Sequence, residues 1–349
     1  MTKRIKTCLL SVLLASGLCA SDTKPDEILI SAKEAVKLIG KKGVMFVTGD
    51  TEDVYKLGHI KGSTEMYAHH LHHSDITGDM HCSPLFMCPK DAQEYIGKHG
   101  IDNDTLVIAY DDFKGPNATG VYVYFKSFGH QKVKILNGGR AAIMAIDPQQ
   151  KIYDDLKKKY KALKKAKASK EEIKKAKEAM KAQEKNLLVV KGEEHVEPKK
   201  YHIDPKKIDY SIIAGKEEVF SAVKDILKNG KNSKYAIIDT RGMIEIIGQR
   251  KMDNVARGGH IPGARFIEWK NITDFKNKLS FPKDLKKIQK MFEEQGITKD
   301  KTVYAYCQVG TGRGSDIITA LKLLGYKNAK VYTGSWDEWG NDMNLPIRR

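Results

Sequence analysis

Short apolar runs alternate along this chain with segments in which apolar residues recur every three or four positions. The runs at 44–47, 235–239 and 302–306 have the length and composition of buried strands. The segment 219–227 places its apolar residues on one face of a helix. Because alternating strands and helices form parallel sheets covered on both faces, the pattern predicts an α/β fold. Ligands of such sheets lie beyond the carboxyl ends of the strands.

The same order of residues occurs twice. The motif Gly-His-Ile-x-Gly stands at 58–62 in the first half and at 259–263 in the second. Further along, Ala-Tyr-Asp ending at Asp111 corresponds to Ala-Tyr-Cys ending at Cys307. Glycines follow each of these at eighteen residues and again nine residues later. Equal spacing without gaps indicates a duplicated domain.

A lysine-rich segment, 151–200, separates the two repeats and holds seventeen lysines against nine acidic residues. Its few apolar residues keep three- and four-residue spacing, which predicts a hairpin of two helices, 151–167 and 170–186, joined along a narrow apolar seam. The hairpin and its linker then connect a first domain at 28–145 to a second domain at 205–349.

Residues 1–20 have the composition of a secretory signal peptide. Lys3, Arg4 and Lys6 precede an apolar run at 8–19 that is too short to span a membrane. We therefore expect export to the periplasm or out of the cell and exclude this segment from the fold. The alternative is an N-terminal anchor that is retained.

The net charge of +17 is concentrated in the leader and in the lysine-rich segment, which alone carries +8. No interleaving of basic and aromatic residues accompanies it, and this argues against nucleic-acid binding. The charged faces of the hairpin are either simply solvated or a docking surface for an acidic protein partner. Nothing in the sequence indicates a cofactor.

The segment after the third apolar run has the features of a nucleophile's setting. Cys307 precedes glycines at 310, 312 and 314, and a helical pattern follows. Main-chain amides in such a strand-to-helix turn, together with the helix dipole and Arg313, stabilise a thiolate and bind an anion beside it. The thiolate is the reactive form of cysteine. The alternative is a structural cysteine beside a glycine-rich turn.

Once a signal peptide is removed, three cysteines remain in an oxidising compartment. Cys82 and Cys88 are close together in one predicted loop and can form a disulfide. That pairing leaves Cys307 as the odd, free thiol.

Taken together, these motifs resemble the tandem rhodaneses, which are thiosulfate or 3-mercaptopyruvate sulfurtransferases. The resemblance rests on the repeat, the cysteine loop, Gly-His-Ile-Pro-Gly-Ala at 259–264 and Gly-Ser-Trp-Asp-Glu-Trp at 334–339. The Asp-Thr-Arg motif at 239–241, with Glu245, also matches. The resemblance implies two rhodanese-like domains, each a parallel sheet flanked by helices, with the lysine-rich hairpin inserted between them.

The resemblance also implies that the two domains have different roles. In tandem members the first domain is usually inactive, and Asp111 at the position equivalent to Cys307 agrees with that. Cys307 would take a sulfane sulfur from thiosulfate, mercaptopyruvate or polysulfide as a persulfide, then pass it to cyanide or a thiol. The expected substrate-binding residues are those of the loop: Gln308, Val309, Gly310, Thr311, Gly312 and Arg313.

Two other functions stay open. Arg313 stands six positions after Cys307, one more than is usual in sulfurtransferases, and Cys-x5-Arg resembles Cdc25-type phosphatases and rhodanese-like arsenate reductases. Against this oxyanion chemistry, Tyr306 replaces the histidine of those phosphatases and the loop lacks a carboxylate. The second alternative is a periplasmic metal-binding protein that uses copper or zinc ligands. Its candidate ligands are His69, His70, His72 and His73.

Overall fold

The computed structural model describes residues 25–349. The signal peptide predicted at 1–20 lies outside the described residues, so export stays a prediction. Within residues 25–349, none of the helices combines the length and the apolar character needed to cross a bilayer.

The first repeat forms a five-stranded parallel sheet in the order β1-β6-β5-β2-β4. Its strands, with the small strand β3, are β1 Leu29–Ile30, β2 Val44–Thr48, β3 His59–Ile60, β4 Thr64–Glu65, β5 Leu106–Tyr110 and β6 Val133–Leu136. Its helices are α1 Pro25–Ile28, α2 Ala32–Ala35, α3 Glu52–Leu57, α4 Pro89–Lys98, α5 Pro116–Ser127 and α6 Gly139–Ile146. Short 3₁₀ helices occupy Val36–Leu38 and Ala68–Leu71.

The lysine-rich segment folds as the two antiparallel helices α7 Pro148–Lys165 and α8 Lys170–Glu184. The first begins earlier than predicted because the Asp147 side chain accepts a hydrogen bond from the Gln149 amide and caps it. Ala176 and Tyr153 are buried in the seam, whereas every lysine from 151 to 185 is exposed. The predicted hairpin is therefore confirmed, and an acidic partner for its lysines stays a prediction.

After the hairpin, strand β7 Val189–Val190 pairs antiparallel with β3. The second repeat then forms another five-stranded parallel sheet in the order β10-β9-β11-β12-β8. Its strands are β8 Ile213–Ala214, β9 Tyr235–Asp239, β10 Arg265–Phe266, β11 Thr302–Tyr306 and β12 Ala329–Tyr332. Its helices are α9 Lys216–Asn229, α10 Met243–Ile246, α11 Lys286–Glu294, α12 Arg313–Leu323 and α13 Ser335–Asn341. Short 3₁₀ helices lie at Pro205–Lys207, Gly230–Asn232 and Trp269–Asn271.

The two sheets have the same topology, since each places its long central strand, β5 or β11, between equivalent neighbours. The predicted duplication and the α/β fold are thus confirmed. Helix α5 of the first domain packs against α12 of the second, and the largest cluster of buried apolar side chains continues through both domains. The active-site candidates lie where these two helices meet.

Candidate active site

Cys307 follows the last residue of the central strand β11, at the carboxyl end of the second sheet. Its neighbour Tyr306 is paired with Asp239, the last residue of β9. Ligands of this fold class bind beyond the carboxyl ends of the parallel strands. Cys307 therefore lies at the edge of the sheet where a ligand is expected.

The Cys307 side chain is buried and carries the one free thiol within residues 25–349. Its main-chain N–H donates to Ser335 Oγ at 3.2 Å, and its carbonyl accepts from the Trp336 amide at 3.1 Å. The residue belongs to none of the apolar clusters found in this part of the chain. Cys307 is thus buried and held in place by hydrogen bonds at both its main-chain N–H and its carbonyl.

The loop after Cys307 leaves main-chain donors free. Gly310 adopts a φ of 76°, in which glycine is favoured, and its carbonyl accepts from the Ser315 hydroxyl at 2.9 Å. Thr311 N–H is used within the loop, bonding to the Val309 carbonyl. Six other amides have no acceptor among residues 25–349, namely those of Gln308, Val309, Gly310, Gly312, Arg313 and Gly314. Such a set of free donors at a helix start attracts an anion.

Arg313 lies in the first turn of α12 and forms a two-point ion pair with Glu245, at 2.9 Å and 3.3 Å. Burial opposes its charge, but the negative charges of Cys307 and Glu245 raise the pKa of Arg313. Burial alone would raise the pKa of Glu245, yet the hydrogen bonds and charge of Arg313 hold it below its usual value. The positive charge of the predicted anion-binding arginine is therefore partly neutralised by a neighbouring carboxylate.

The Asp-Thr-Arg motif forms a buried support behind the loop. Arg241 donates to both oxygens of Asp239, at 3.0 Å and 2.7 Å, and to the Gly259 carbonyl at 2.6 Å. Its guanidinium also lies over the Trp336 ring, 4.5 Å from the centroid. The Tyr306 hydroxyl donates to Asp239 at 2.6 Å. These contacts fix the ends of β9 and β11 and hold the loop in place.

In the first domain, a carboxyl group occupies the position equivalent to the nucleophile. Asp111 Oδ2 accepts from the amides of Gly115 at 2.9 Å and Ala118 at 3.3 Å. Burial, with the nearby charge of Asp50, raises the pKa of Asp111 to about 8. Asp316 of α12 also lies close, and burial together with Asp111 raises its pKa as well. A carboxyl group cannot carry sulfur, so this loop offers no nucleophile for sulfur transfer.

Within residues 25–349, no three histidine, cysteine or carboxylate side chains, those of the histidine-rich segment included, are grouped so that they could hold a metal ion. His69 is exposed beside Gly312, whereas His72 is buried next to Asp337, with 3.7 Å between Nε2 and Oδ2. His73 faces His81, and the exposed His70 rests its edge on Tyr67. The structure confirms the disulfide between Cys82 and Cys88 in the same region.

Sequence reasoning did not identify two partners of the loop. Glu245 belongs to the Asp-Thr-Arg motif region, but no feature of the sequence indicates its ion pair with Arg313. His69 is a candidate metal ligand by sequence, and the structure places it beside Gly312 of the loop that follows Cys307. Both contacts require the packing of separate segments, so spacing along the chain does not reveal them.

A model of the rhodanese-like domain matches the chain twice, at residues 31–145 and 221–342. The chain belongs to the rhodanese family. The two copies, with the names of its relatives, make it a tandem-domain sulfurtransferase. The resemblance identified from the motifs is thus confirmed at the level of the family and its general activity.

Several curated relatives cover most of this rhodanese chain. A protein of Haloferax volcanii named "Putative thiosulfate sulfurtransferase" is 27% identical over 74% of the chain and 74% of its own length. One of the same name from Saccharopolyspora erythraea is 27% identical over 92% and 96%. The sulfur carrier protein TtuD of Thermus thermophilus is 25% identical over 85% and 88%.

Solved structures agree with the fold. The anaerobic ergothioneine biosynthesis enzyme of Chlorobium limicola, in complex with trimethyl histidine, superposes with a TM-score of 0.64. The match covers 93% of this rhodanese and 70% of that chain at 20% identity. A structure of EanB with ergothioneine gives a TM-score of 0.67 at 19% identity, over the same shares of both chains. At this identity the likeness concerns the fold alone.

Proposed function

We propose that this rhodanese transfers a sulfane sulfur through a persulfide on Cys307. The observation that supports the proposal is the position of Cys307 beneath a loop whose amides lack acceptors within residues 25–349. Such amides stabilise a thiolate and then the terminal sulfur of a persulfide, both of which are anions. The donors we propose are thiosulfate, mercaptopyruvate or polysulfide, and the acceptors are cyanide or a thiol.

The reaction has two steps. The Cys307 thiolate attacks the outer sulfur of thiosulfate, an Sγ–S bond forms, and the S–S bond of the donor breaks as sulfite leaves with its electron pair. Cyanide or a thiolate then attacks the outer sulfur of the persulfide. The new bond releases thiocyanate or a new persulfide, and the electron pair returns to Cys307 as the thiolate.

The state of Glu245 favours sulfur transfer over phosphate or arsenate chemistry. A phosphatase needs an acid to protonate its leaving group. Glu245 is the carboxylate in contact with Arg313, and that contact keeps it ionised, so it has no proton to give. Sulfite leaves as a stable anion and needs no such acid. The longer Cys-x5-Arg loop then serves donor recognition rather than a different reaction.

We also propose that the protein acts in the periplasm or outside the cell. The basic and apolar composition of residues 1–20 supports this proposal, and so does the Cys82–Cys88 disulfide, a bond that persists in oxidising compartments. Fractionation of cells that produce the full chain is the direct measurement. Recovery of uncleaved protein from the cytoplasm contradicts the proposal.

The decisive experiment is mass spectrometry, of the intact protein and of its proteolytic peptides, after exposure to thiosulfate. We expect a gain of one sulfur atom on the peptide that contains Cys307, loss of that sulfur on addition of cyanide, and release of thiocyanate. Cys307→Ser is the matched control and should show none of these. Equal thiocyanate production by both proteins, or turnover of para-nitrophenyl phosphate without persulfide formation, would overturn the proposal.

A further inference from the structure

The first domain contributes one side chain to the mouth of the catalytic loop. His69 lies on the 3₁₀ helix Ala68–Leu71, whose own side chains Ala68 and Leu71 are fully buried. The amide of Ala68 donates to the Gly49 carbonyl at 3.0 Å, and the ring of Tyr67 stacks on His69 with centroids 5.1 Å apart. A short, firmly held helix therefore fixes the direction of an exposed imidazole.

That imidazole stands over the loop of the second domain. A methyl group built on Gly312 would lie 3.6 Å from Nε2 of His69, an ordinary van der Waals distance. The ring is close enough to Arg313 for the two charges to interact. Within residues 25–349 neither ring nitrogen of His69 makes a hydrogen bond. Its N–H is therefore available to a ligand bound at the loop that follows Cys307.

The surroundings keep this imidazole uncharged. Crowding by protein on several sides, with the nearby positive charge of Arg313, lowers the pKa of His69 to about 4. His69 nevertheless keeps part of its surface exposed to solvent. At neutral pH it therefore offers one N–H donor and one acceptor, without a positive charge.

We propose that His69 binds the oxyanion end of the sulfur donor and thereby selects donors that carry one. This inference rests on the proposed function of Cys307. The sulfane sulfur must reach Sγ at the base of the loop, so the sulfonate of thiosulfate or the carboxylate of mercaptopyruvate extends toward the mouth. Arg313 is partly neutralised by its ion pair with Glu245, so His69 supplies an additional N–H for the oxyanion. Polysulfide has no oxygen to accept it.

The test compares donors in His69→Ala and in its neighbour variant His70→Ala. Both side chains are exposed, so neither change should unfold the protein. We expect His69→Ala to raise KM for thiosulfate about tenfold, the value of one lost hydrogen bond, with kcat unchanged. Kinetics with polysulfide, and the cyanide step of preformed persulfide, should not change. His69→Asn, which keeps a neutral N–H donor, should recover part of the loss.

Three results would overturn the inference: an unchanged KM for thiosulfate in His69→Ala, the same increase in His70→Ala, or an equal loss with polysulfide. Calorimetric titration of thiosulfate into Cys307→Ser, with and without His69→Ala, separates this inference from the proposed function. No sulfur transfer is needed there, and we expect binding about tenfold weaker in the double variant. Equal affinities in the two proteins contradict a role for His69 even if Cys307 forms a persulfide.

Discussion

Gly120 of the first domain lies directly against the main-chain carbonyl of Thr311, in the loop that follows Cys307. A Cβ atom at residue 120 would stand 1.7 Å from that oxygen, a distance that no rotamer change can relieve. Helix α5 therefore approaches the loop as closely as a backbone allows. The first domain, although it lacks a nucleophile, helps to set the shape of the site in the second.

Gly120→Ala should accordingly lower both stability and activity. Inside an exposed helix the same change stabilises a protein by roughly 1 kcal/mol, so a loss of about 2 kcal/mol or more would report the clash. We expect thiosulfate turnover to fall at least about tenfold, since the loop must shift. Gly242→Ala is the control, because its nearest neighbours would be 3.8 Å away. Wild-type behaviour of Gly120→Ala in thermal unfolding and turnover contradicts this contact.

Removal of the Arg313 guanidinium should impair persulfide formation strongly. In Arg313→Ala the mostly buried carboxylate of Glu245 loses its two-point partner and places uncompensated negative charge near Cys307. We expect the single-turnover rate with thiosulfate at pH 7 to fall about a hundredfold. Alkylation of Cys307 by iodoacetamide should slow in parallel.

Arg250→Ala provides the comparison for this prediction, because Arg250 also bonds to Glu245, at 3.1 Å, but is 62% exposed. Arg250→Ala should change the rates of persulfide formation and of Cys307 alkylation by less than about threefold, since exposed ion pairs contribute little. Similar effects of the two substitutions would mean that Arg313 acts only as a general partner of Glu245.

Asp111 should make the protein less stable as pH rises. In the folded state burial keeps its carboxyl protonated up to about pH 8, whereas the unfolded chain loses this proton near pH 4. The folded state therefore holds the extra proton, and its advantage declines between about pH 4 and pH 8. Asp111→Asn keeps an acceptor for the two amides and should stabilise the protein by at least about 2 kcal/mol at pH 8.

The stability gain of Asp111→Asn should vanish near pH 4, which urea denaturation at several pH values can measure. Asp112→Asn should instead destabilise the protein at neutral pH. Burial raises the pKa of Asp112, but hydrogen bonds with Lys114 outweigh burial and hold this pKa below its usual value. Loss of the ionised carboxylate should therefore lower the free energy of unfolding. A pH-independent gain in Asp111→Asn, or equal signs for the two variants, would contradict this account.

The Cys82–Cys88 disulfide should stabilise the fold without taking part in catalysis. It closes a short loop that contains the buried residues Leu85, Phe86 and Met87. A disulfide that closes a loop of this length raises the free energy of unfolding by roughly 2 kcal/mol. Dithiothreitol should lower the unfolding free energy of the wild type by that amount and leave Cys82→Ser/Cys88→Ser unchanged. Once dithiothreitol, which itself accepts the persulfide sulfur, has been removed, the reduced wild type and Cys82→Ser/Cys88→Ser should both still acquire one sulfur at Cys307 from thiosulfate. A loss of that reaction would place the disulfide in the site.

Much of the architecture follows from the amino-acid sequence because it depends on local rules. Apolar runs and helical periodicity predicted the parallel sheets, and the spacing of glycines around Asp111 and Cys307 revealed the duplication. The helical hairpin was predicted nearly to its bounds, since side chains three and four residues apart share a helix face. The first helix begins earlier than predicted because Asp147 caps it.

The sequence by itself determined that a cysteine ends the central strand of one repeat and that an aspartate stands in its place in the other. Only the tertiary structure decided which side chains surround that cysteine. Glu245 reaches Arg313 because the strands that precede these residues, β9 and β11, pair side by side in the second sheet. His69 reaches Gly312 because α5 packs both against α12 and against the 3₁₀ helix that carries His69. Contacts of this kind depend on the packing of segments that are far apart in the sequence, and no periodicity along the chain records them.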